Sequence, residues 1–403
     1  MKNKYLKEII KIEDSYQCIL HLTANENVMS PLAERFYNSP LYARYDMGDG
    51  TDGVVVHGNF AAKGMPEIRR IINEACDKAN NMLHAEFTSL NCLSGVHGMM
   101  SAILSTTNPG DTIMTVISRH GGHFATKPII ELTGRKHVYA EYDFHTLSFD
   151  VQKIAKIFKE NKCKAIYFDV SVYLNGHPIK ELRKALGKDA IIIYDASHTV
   201  GLIMGGLFQS PLEEGADIIC ANTHKTLPGP HRGLISYKNK SFAEKADKII
   251  SSSLYSTVQT NSVLALAITI IEMYKYGKSY ARQVVSNSNA LAESLVKRGF
   301  SVRKANNGLY SNNHQVHLFV TISNQEVVKR FLNNQMSVNT SKALGEQLFI
   351  RLGTQEITRR GMKEKEMDII ADFIKDTLNG EKIINKVMQF NDKFDKVHYC
   401  FTL

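Results

Sequence analysis

The sequence predicts an α/β protein, with a large domain built on a mostly parallel central sheet and a smaller C-terminal α+β domain. Three observations lead there. At 403 residues the chain exceeds the size at which one core keeps growing, so two domains are expected. Between about residues 66 and 235, helix-period stretches alternate with short apolar, β-rich runs, the pattern of strands covered on both faces. After about residue 261 the pattern changes to long helix, then strands, then helix. The expected divisions are an N-terminal helical arm over 1–40, a large domain over 41–260 and a small domain over 261–403.

Residues 1–14 form a charged, helix-like stretch without the continuous apolar segment or small-residue cleavage site of a signal peptide. Helices are expected over 66–83 and 95–104. Strands are expected over 111–117, 165–170, 190–195 and 217–221, bounded by turn signals such as NPGD, LGKDA and EEGAD. In the C-terminal part, helical stretches over 262–276 and 280–298 precede strands over 315–322 and 347–352, and a helix over 362–378 closes the unit.

Composition excludes several classes. A hydrophobic content of 43% and a charged content of 22% are those of an ordinary globular protein. No apolar run approaches the ~20 residues needed to span a bilayer, so a cytoplasmic protein without a membrane partner is expected. The six cysteines are scattered without a CxxC pair, which argues for buried thiols over metal ligands or disulfides. The net charge of +9 comes from lysines spread along the chain and interleaved with acids. That describes a solvated basic surface and no nucleic-acid partner, although a modest positive field favours an anionic cofactor and substrate.

In open α/β sheets ligands collect beyond the carboxyl ends of the strands. Four expected strand ends carry chemistry: YDASHTVG presents Asp195 and His198, ICANTHKTLPGP presents Thr223, His224 and Lys225, FDVSVY presents Ser171, and ISRHGGHF presents two histidines around a glycine pair. A common partner for these groups is pyridoxal phosphate. Its aldehyde needs a lysine that can shed a proton and form a Schiff base, and its pyridine nitrogen needs a carboxylate beside it. Taken alone, Asp195 with Lys225 reads equally well as a buried salt bridge.

The flanking residues resolve that choice. THKTLPGP, YDASHTVGL and ISRHGGHF resemble the serine hydroxymethyltransferase patterns THKTL-x-GP, D-x-AH-x-xGL and S/A-HGGH. LTANENVMSP, LSGVHG, DVSVY and FIRLGTQEITRRG are similar to the family's L-x-ASEN-x-x-SP, HSGSQAN, SAY and GIRIGTPAITTRG, in order and across nearly the whole chain. The resemblance implies a fold-type-I, aminotransferase-like large domain. It also implies roles for individual residues. Lys225 is the Schiff-base lysine, Asp195 pairs with the pyridinium nitrogen, and His123 stacks on the ring, with the glycine pair allowing a close backbone approach. Ser94 and Gly95 begin a helix whose N-terminus favours the phosphate; without the surrounding match an ordinary serine cap would be the better reading. Ser171 and His198 line the phenolic oxygen, while Thr223 and His224 serve the phosphate and lysine surroundings. Arg351 takes the substrate carboxylate as a bidentate fork, with Asn25 on the substrate side, and Tyr42 reaches in from a second subunit of a homodimer with shared sites.

The resemblance breaks at positions that serve folate. The family's YAEGYPG is YARYDMG here, so the catalytic glutamate is Arg44, which cannot act as a general acid–base near neutral pH. Asp46 or Asp49 could replace it only if the loop shifts register. SKALGEQ shortens the family's folate loop, and QTNSVLA replaces QGGP-x-x-H, leaving Thr260 or Ser262 for the phosphate. The arginine after GP is His231, with Arg232 shifted by one, and Asn25 replaces the first serine of ASEN. The expectation is a transferase or lyase of aldolase or transaldolase type. It would make or break the Cα–Cβ bond of a β-hydroxy-α-amino acid through a glycyl quinonoid, with an aldehyde as second substrate and without tetrahydrofolate. The alternatives are folate-dependent hydroxymethyl transfer with another acid, or transamination, racemisation or decarboxylation on the same scaffold. A non-catalytic scaffold subunit is the remaining reading, and the intact Asp195, Lys225 and Arg351 speak against it.

Overall fold

The computed structural model describes residues 2–48, 53–249, 253–254, 258–342 and 347–402. The chain divides into two compact units, Asn27–Arg282 with Tyr399–Leu403, and Met1–Glu26 with Gln283–His398.

The larger unit is built on a seven-stranded sheet. Its strands are β1 (Phe87–Ser89), β2 (Thr112–Val116), β3 (Lys136–Ala140), β4 (Cys163–Phe168), β5 (Ile191–Asp195), β6 (Ile218–Asn222) and β7 (Gly233–Tyr237), in the spatial order β1-β7-β6-β5-β4-β2-β3. Every pairing among β2 to β6 is parallel, and only β7 runs against the rest. The central strands are buried almost without interruption, as expected of a sheet covered on both faces, which explains their unbroken isoleucine runs. On one face, Ile113, Ala165, Tyr167, Ile193, Ile218 and Ile235 pack with Met99 and Ile103 of helix α2 (Gly95–Thr106). Helix α1 (Pro66–Leu83) carries proline in its first turn and closes on His84 in the left-handed conformation.

The four strands read from the sequence are present within two residues of their expected ends. β1, β3 and β7 were not expected. β1 has only three residues, and β7 follows directly on the proline- and glycine-rich segment after Lys225, whose turn chemistry masks it. An exposed hairpin, Val54–His57 with Phe60–Lys63, was likewise not foreseen.

The smaller unit carries an antiparallel sheet in the order β8 (Gln315–Phe319), β10 (Phe349–Gly353), β9 (Asn339–Ser341). Leu291, Leu295, Leu318, Ile350, Ile370 and Ile374 form its core, the last two from helix α4 (Glu364–Leu378). The N-terminal helix Lys2–Gln17 leads into Leu20–His21, which pairs in parallel with Met336–Ser337.

The expected divisions at 40 and 260 do not match these units. Residues 261–282 group with the larger unit and 283–297 with the smaller, although 260–297 is a single 38-residue helix, α3 (Thr260–Lys297). The helix runs unbroken past Gly277, as its continuation over 280–298 suggests: a side chain on Gly205 would lie 2.6 Å from the Gly277 carbonyl, so the two glycines let the chain pass close to the helix. The first 26 residues belong with the C-terminal part because the Leu20–His21 strand pairs there. Cys18, Cys76, Cys92, Cys163 and Cys220 are thiols, the last three buried. Among the described residues no helix is long and apolar enough to cross a membrane, and no cluster of three metal-ligating side chains occurs.

Candidate active site

Five elements of the larger unit end at one cavity. β5 stops at Asp195 and is followed by Ser197 and His198. β6 stops at Asn222, three residues before Lys225. β4 leads to Asp169 and Ser171, β2 leads through the glycine pair to His123, and α2 begins at Gly95. These residues line one shared cavity.

Lys225 Nζ lies 3.2 Å from His198 Nε2. The lysine's backbone is pinned by Asn27, whose Nδ2 donates to the Lys225 carbonyl at 2.5 Å and to the Tyr280 hydroxyl at 2.9 Å. Asp195 has both oxygens held: Tyr167 donates its hydroxyl to Oδ2 at 2.6 Å, and the Ser197 N–H donates to Oδ1 at 2.8 Å. Burial, followed by the charge of Asp195, pushes the Tyr167 phenol well above its ordinary range, so it stays a donor. Burial and the charge of Lys225 lower the His123 imidazole despite the opposing charge of Asp195, so its ring is neutral near pH 7. His123 stacks on Phe124 at 4.7 Å.

The glycine pair also has a reason within the fold. Gly121 adopts φ 92°, and a Cβ on Gly122 would stand 2.2 Å from the Val116 carbonyl, so the pair lets the turn fold back on the end of β2. Ser171 donates its hydroxyl to the Gly121 carbonyl at 3.0 Å and so braces that same turn.

Other expected contacts are already engaged within the chain. Ser94 caps α2, its Oγ accepting from the His97 N–H at 3.1 Å, and the Gly95 N–H donates to Asn222 Oδ1 at 3.0 Å. Ser94 thus serves as the cap of this helix. Thr223 is buried, donates to the Pro230 carbonyl at 2.6 Å and accepts from the Arg232 N–H, so it ties the lysine loop together and does not line the cavity. His224 stacks on His231 with ring centres 3.4 Å apart, also away from the cavity lining. Thr260 donates to the Arg44 carbonyl at 2.9 Å, and Ser262 accepts from the buried Arg232 guanidinium at 2.7 Å. Asp46 is buried in an ion pair with Arg69 at 2.8 Å, which removes it as a substitute for the family's glutamate; Asp49 lies outside the described residues. Tyr42 and Arg44 are exposed in the single chain.

In the smaller unit, Arg351 on β10 donates from Nε to Asn339 Oδ1 at 3.3 Å, and Asn339 in turn donates to Asn25. Asn25 and Arg351, both expected to bind substrate, are thus linked through Asn339, which the sequence did not single out. In the cavity the sequence missed Asn222, Ser197, Tyr167 and Asp169, and it also missed Asn27, which holds the Lys225 carbonyl. Asn222 and Asp169 sit directly at strand ends, a signal that the reading of neighbouring residues could have used.

A lysine beside an imidazole, a doubly held carboxylate, a neutral imidazole face and a helix N-terminus around one cavity fit pyridoxal phosphate, and on this sheet they define a fold-type-I pyridoxal-phosphate enzyme. The serine hydroxymethyltransferase family profile matches residues 1–374. A fluorothreonine transaldolase of Streptantibioticus cattleyicolor is 35% identical over 92% of this chain, which spans 59% of that relative's length. A serine hydroxymethyltransferase of Methanobrevibacter smithii is 33% identical over 95% of this chain and 92% of its own. The crystal structure of L-threonine transaldolase from Pseudomonas fluorescens superposes with a TM-score of 0.90 at 28% identity, covering 99% of this chain and 93% of that one. The chain belongs to the serine hydroxymethyltransferase family, whose members are pyridoxal-phosphate-dependent transferases acting on amino acids.

Proposed function

We propose that this enzyme makes and breaks the Cα–Cβ bond of a β-hydroxy-α-amino acid, exchanging one aldehyde for another, without tetrahydrofolate. The observation that carries the proposal is an asymmetry. The lysine, carboxylate and imidazole set is intact around one cavity, while the position of the family's catalytic glutamate holds the exposed Arg44.

Pyridoxal phosphate, when bound, supplies the electron sink that lets a bond at Cα break. The chain's own residues divide the remaining work. Lys225 carries the amine that holds and yields the cofactor, and His198, 3.2 Å away, is placed to exchange a proton with it. Asp195, fixed by Tyr167 and Ser197, would pair with the ring nitrogen of the bound cofactor. His123 offers a flat, neutral surface to the ring. Arg351, whose Nε is held by Asn339, takes the amino acid's carboxylate, a role that rests on its FIRLG motif.

The folate argument is one of proton bookkeeping. A guanidinium stays charged and donates only, so Arg44 cannot shuttle a proton, and Asp46 is committed to Arg69. Part of the shortened loop, residues 343–346, lies outside the described residues. The relatives named transaldolases support the same reading.

The test is glycine release from L-threonine and L-serine by the cofactor-loaded protein, with and without tetrahydrofolate. Threonine cleavage that is indifferent to folate and stimulated by added aldehydes is the expected result. Serine turnover that requires tetrahydrofolate would overturn the folate-independent reading and restore hydroxymethyl transfer. Turnover of neither substrate by protein carrying the cofactor would move the activity to a different Cα reaction.

A further inference from the structure

Asp169 is a second carboxyl in the cavity, and the chemistry described so far leaves it unused. It is only 4% exposed and lines the same space as Asp195, His123 and Lys225. Its two oxygens are treated differently. Oδ2 accepts from the His123 backbone N–H at 3.1 Å and from the Thr126 hydroxyl at 2.5 Å. Oδ1 is buried, with no hydrogen-bond partner among the described residues. Leaving a buried polar atom unmet costs roughly 1–3 kcal/mol, so such an atom beside a ligand cavity points to a partner brought by the ligand.

We propose that Asp169 is a cofactor-positioning residue: a protonated carboxyl that anchors the His123 turn through Oδ2 and donates from Oδ1 to an oxygen acceptor of the bound cofactor. This rests on the reading of the cavity as the pyridoxal-phosphate site. The proton belongs on Oδ1 because Oδ2 already receives two donors, and a carboxyl oxygen accepting both has little use for a proton of its own. An ionised Asp169 would be a second buried anion beside Asp195, and like charges sharing one site favour the neutral form of one of them. The titratable groups lining the same cavity are Asp195, Lys225, His123, His198 and the Tyr167 phenol. Burial, opposed by the Thr126 bond and reinforced by the charge of Asp195, raises Asp169 to about 7. The arrangement has two consequences: the carboxyl sets the position of His123 through that residue's own backbone, and it gives the bound ring a donor without adding charge.

The experiment measures equilibrium affinity for pyridoxal phosphate and the visible absorption of the bound cofactor, in wild type, Asp169→Asn and Asp169→Ala, with a thermal melt of each. The amide of Asp169→Asn can still accept from His123 and Thr126 while donating into the cavity. Its affinity should stay within about threefold of wild type, with the absorption maximum unchanged. Asp169→Ala should bind about tenfold more weakly, with a shifted maximum, as the loss of one to two hydrogen bonds predicts. If Asp169→Ala does not fold, Asp169→Leu repeats that arm at conserved volume. An asparagine variant as impaired as alanine would show that charge is required and overturn the proposal, as would an alanine variant with wild-type affinity and spectrum. Failure of the wild-type protein itself to take up cofactor would instead overturn the reading of the cavity.

Discussion

Tyr167 and Asp169 stand two residues apart at the end of β4, one donating to Asp195, the carboxylate proposed for the ring nitrogen, the other holding the turn that carries His123. Asp169 also has a measurable stability signature. Its carboxyl is raised from 3.8 unfolded to about 7 folded, chiefly by burial, so between those values the folded protein keeps a proton that the unfolded chain has lost. The stabilisation this gives is complete below about pH 4 and is lost as pH rises through about 7. Melts of cofactor-free protein should therefore show Asp169→Asn gaining on wild type from pH 5 to pH 8, with little further change above that. A melting difference that does not depend on pH would mean that Asp169 titrates normally. Asp46 shows the converse: a carboxylate that the sequence offered for proton transfer is taken out of chemistry by Arg69 at 2.8 Å.

At the scale of elements, the site depends on how tightly backbone turns onto the sheet. The turn after β2 works because Gly122 has no side chain: a Cβ would meet the Val116 carbonyl at 2.2 Å, against backbone that cannot step aside. Gly122→Ala should cost about 2 kcal/mol, as overpacking of a close contact does, and lower the melting temperature by several degrees. Because His123 is the next residue, cofactor affinity should fall in the same variant, and thermal melts paired with cofactor titration check both. The start of α2 has the same character. A Cβ on Gly95 would stand 2.5 Å from Asn222 Oδ1, so the glycine that was assigned to phosphate also admits the last residue of β6. Ser171, expected at the phenolic oxygen, braces the glycine turn. Each of these elements positions the site through its backbone as much as through its side chains.

At the scale of the whole molecule, the exposed Tyr42 acquires a role only if a second copy of the chain completes the site. The proposed homodimer makes a sharp prediction. Lys225→Ala and Tyr42→Phe homodimers should each be impaired, whereas mixed dimers formed after partial unfolding and refolding should regain activity. In a mixed dimer one site receives both mutations and the other receives neither, so about one working site per mixed dimer is expected. No recovery on mixing would place Tyr42 and Lys225 of a working site in the same chain. The net charge of +9 fits a protein that attracts an anionic cofactor and carboxylate substrates.

The sequence by itself determined the α/β alternation, the four central parallel strands and the positions of Lys225, Asp195 and His123. These are carried by local periodicity and by short motifs whose spacing survives in one dimension. Which side chains meet was decided by tertiary structure. Tyr167 pairs in register with Ile193, which shares a face with Asp195 two residues on, and that register is what brings the phenol to the carboxylate. In the same way, the packing of α2 against the end of β6 gives Gly95 to Asn222, and the fold of the lysine loop turns Thr223 inward to Pro230. Periodicity tells a residue which face it occupies. Hydrogen-bond partners depend on register and close approach between segments far apart in the chain, and neither is written in the spacing of one segment alone.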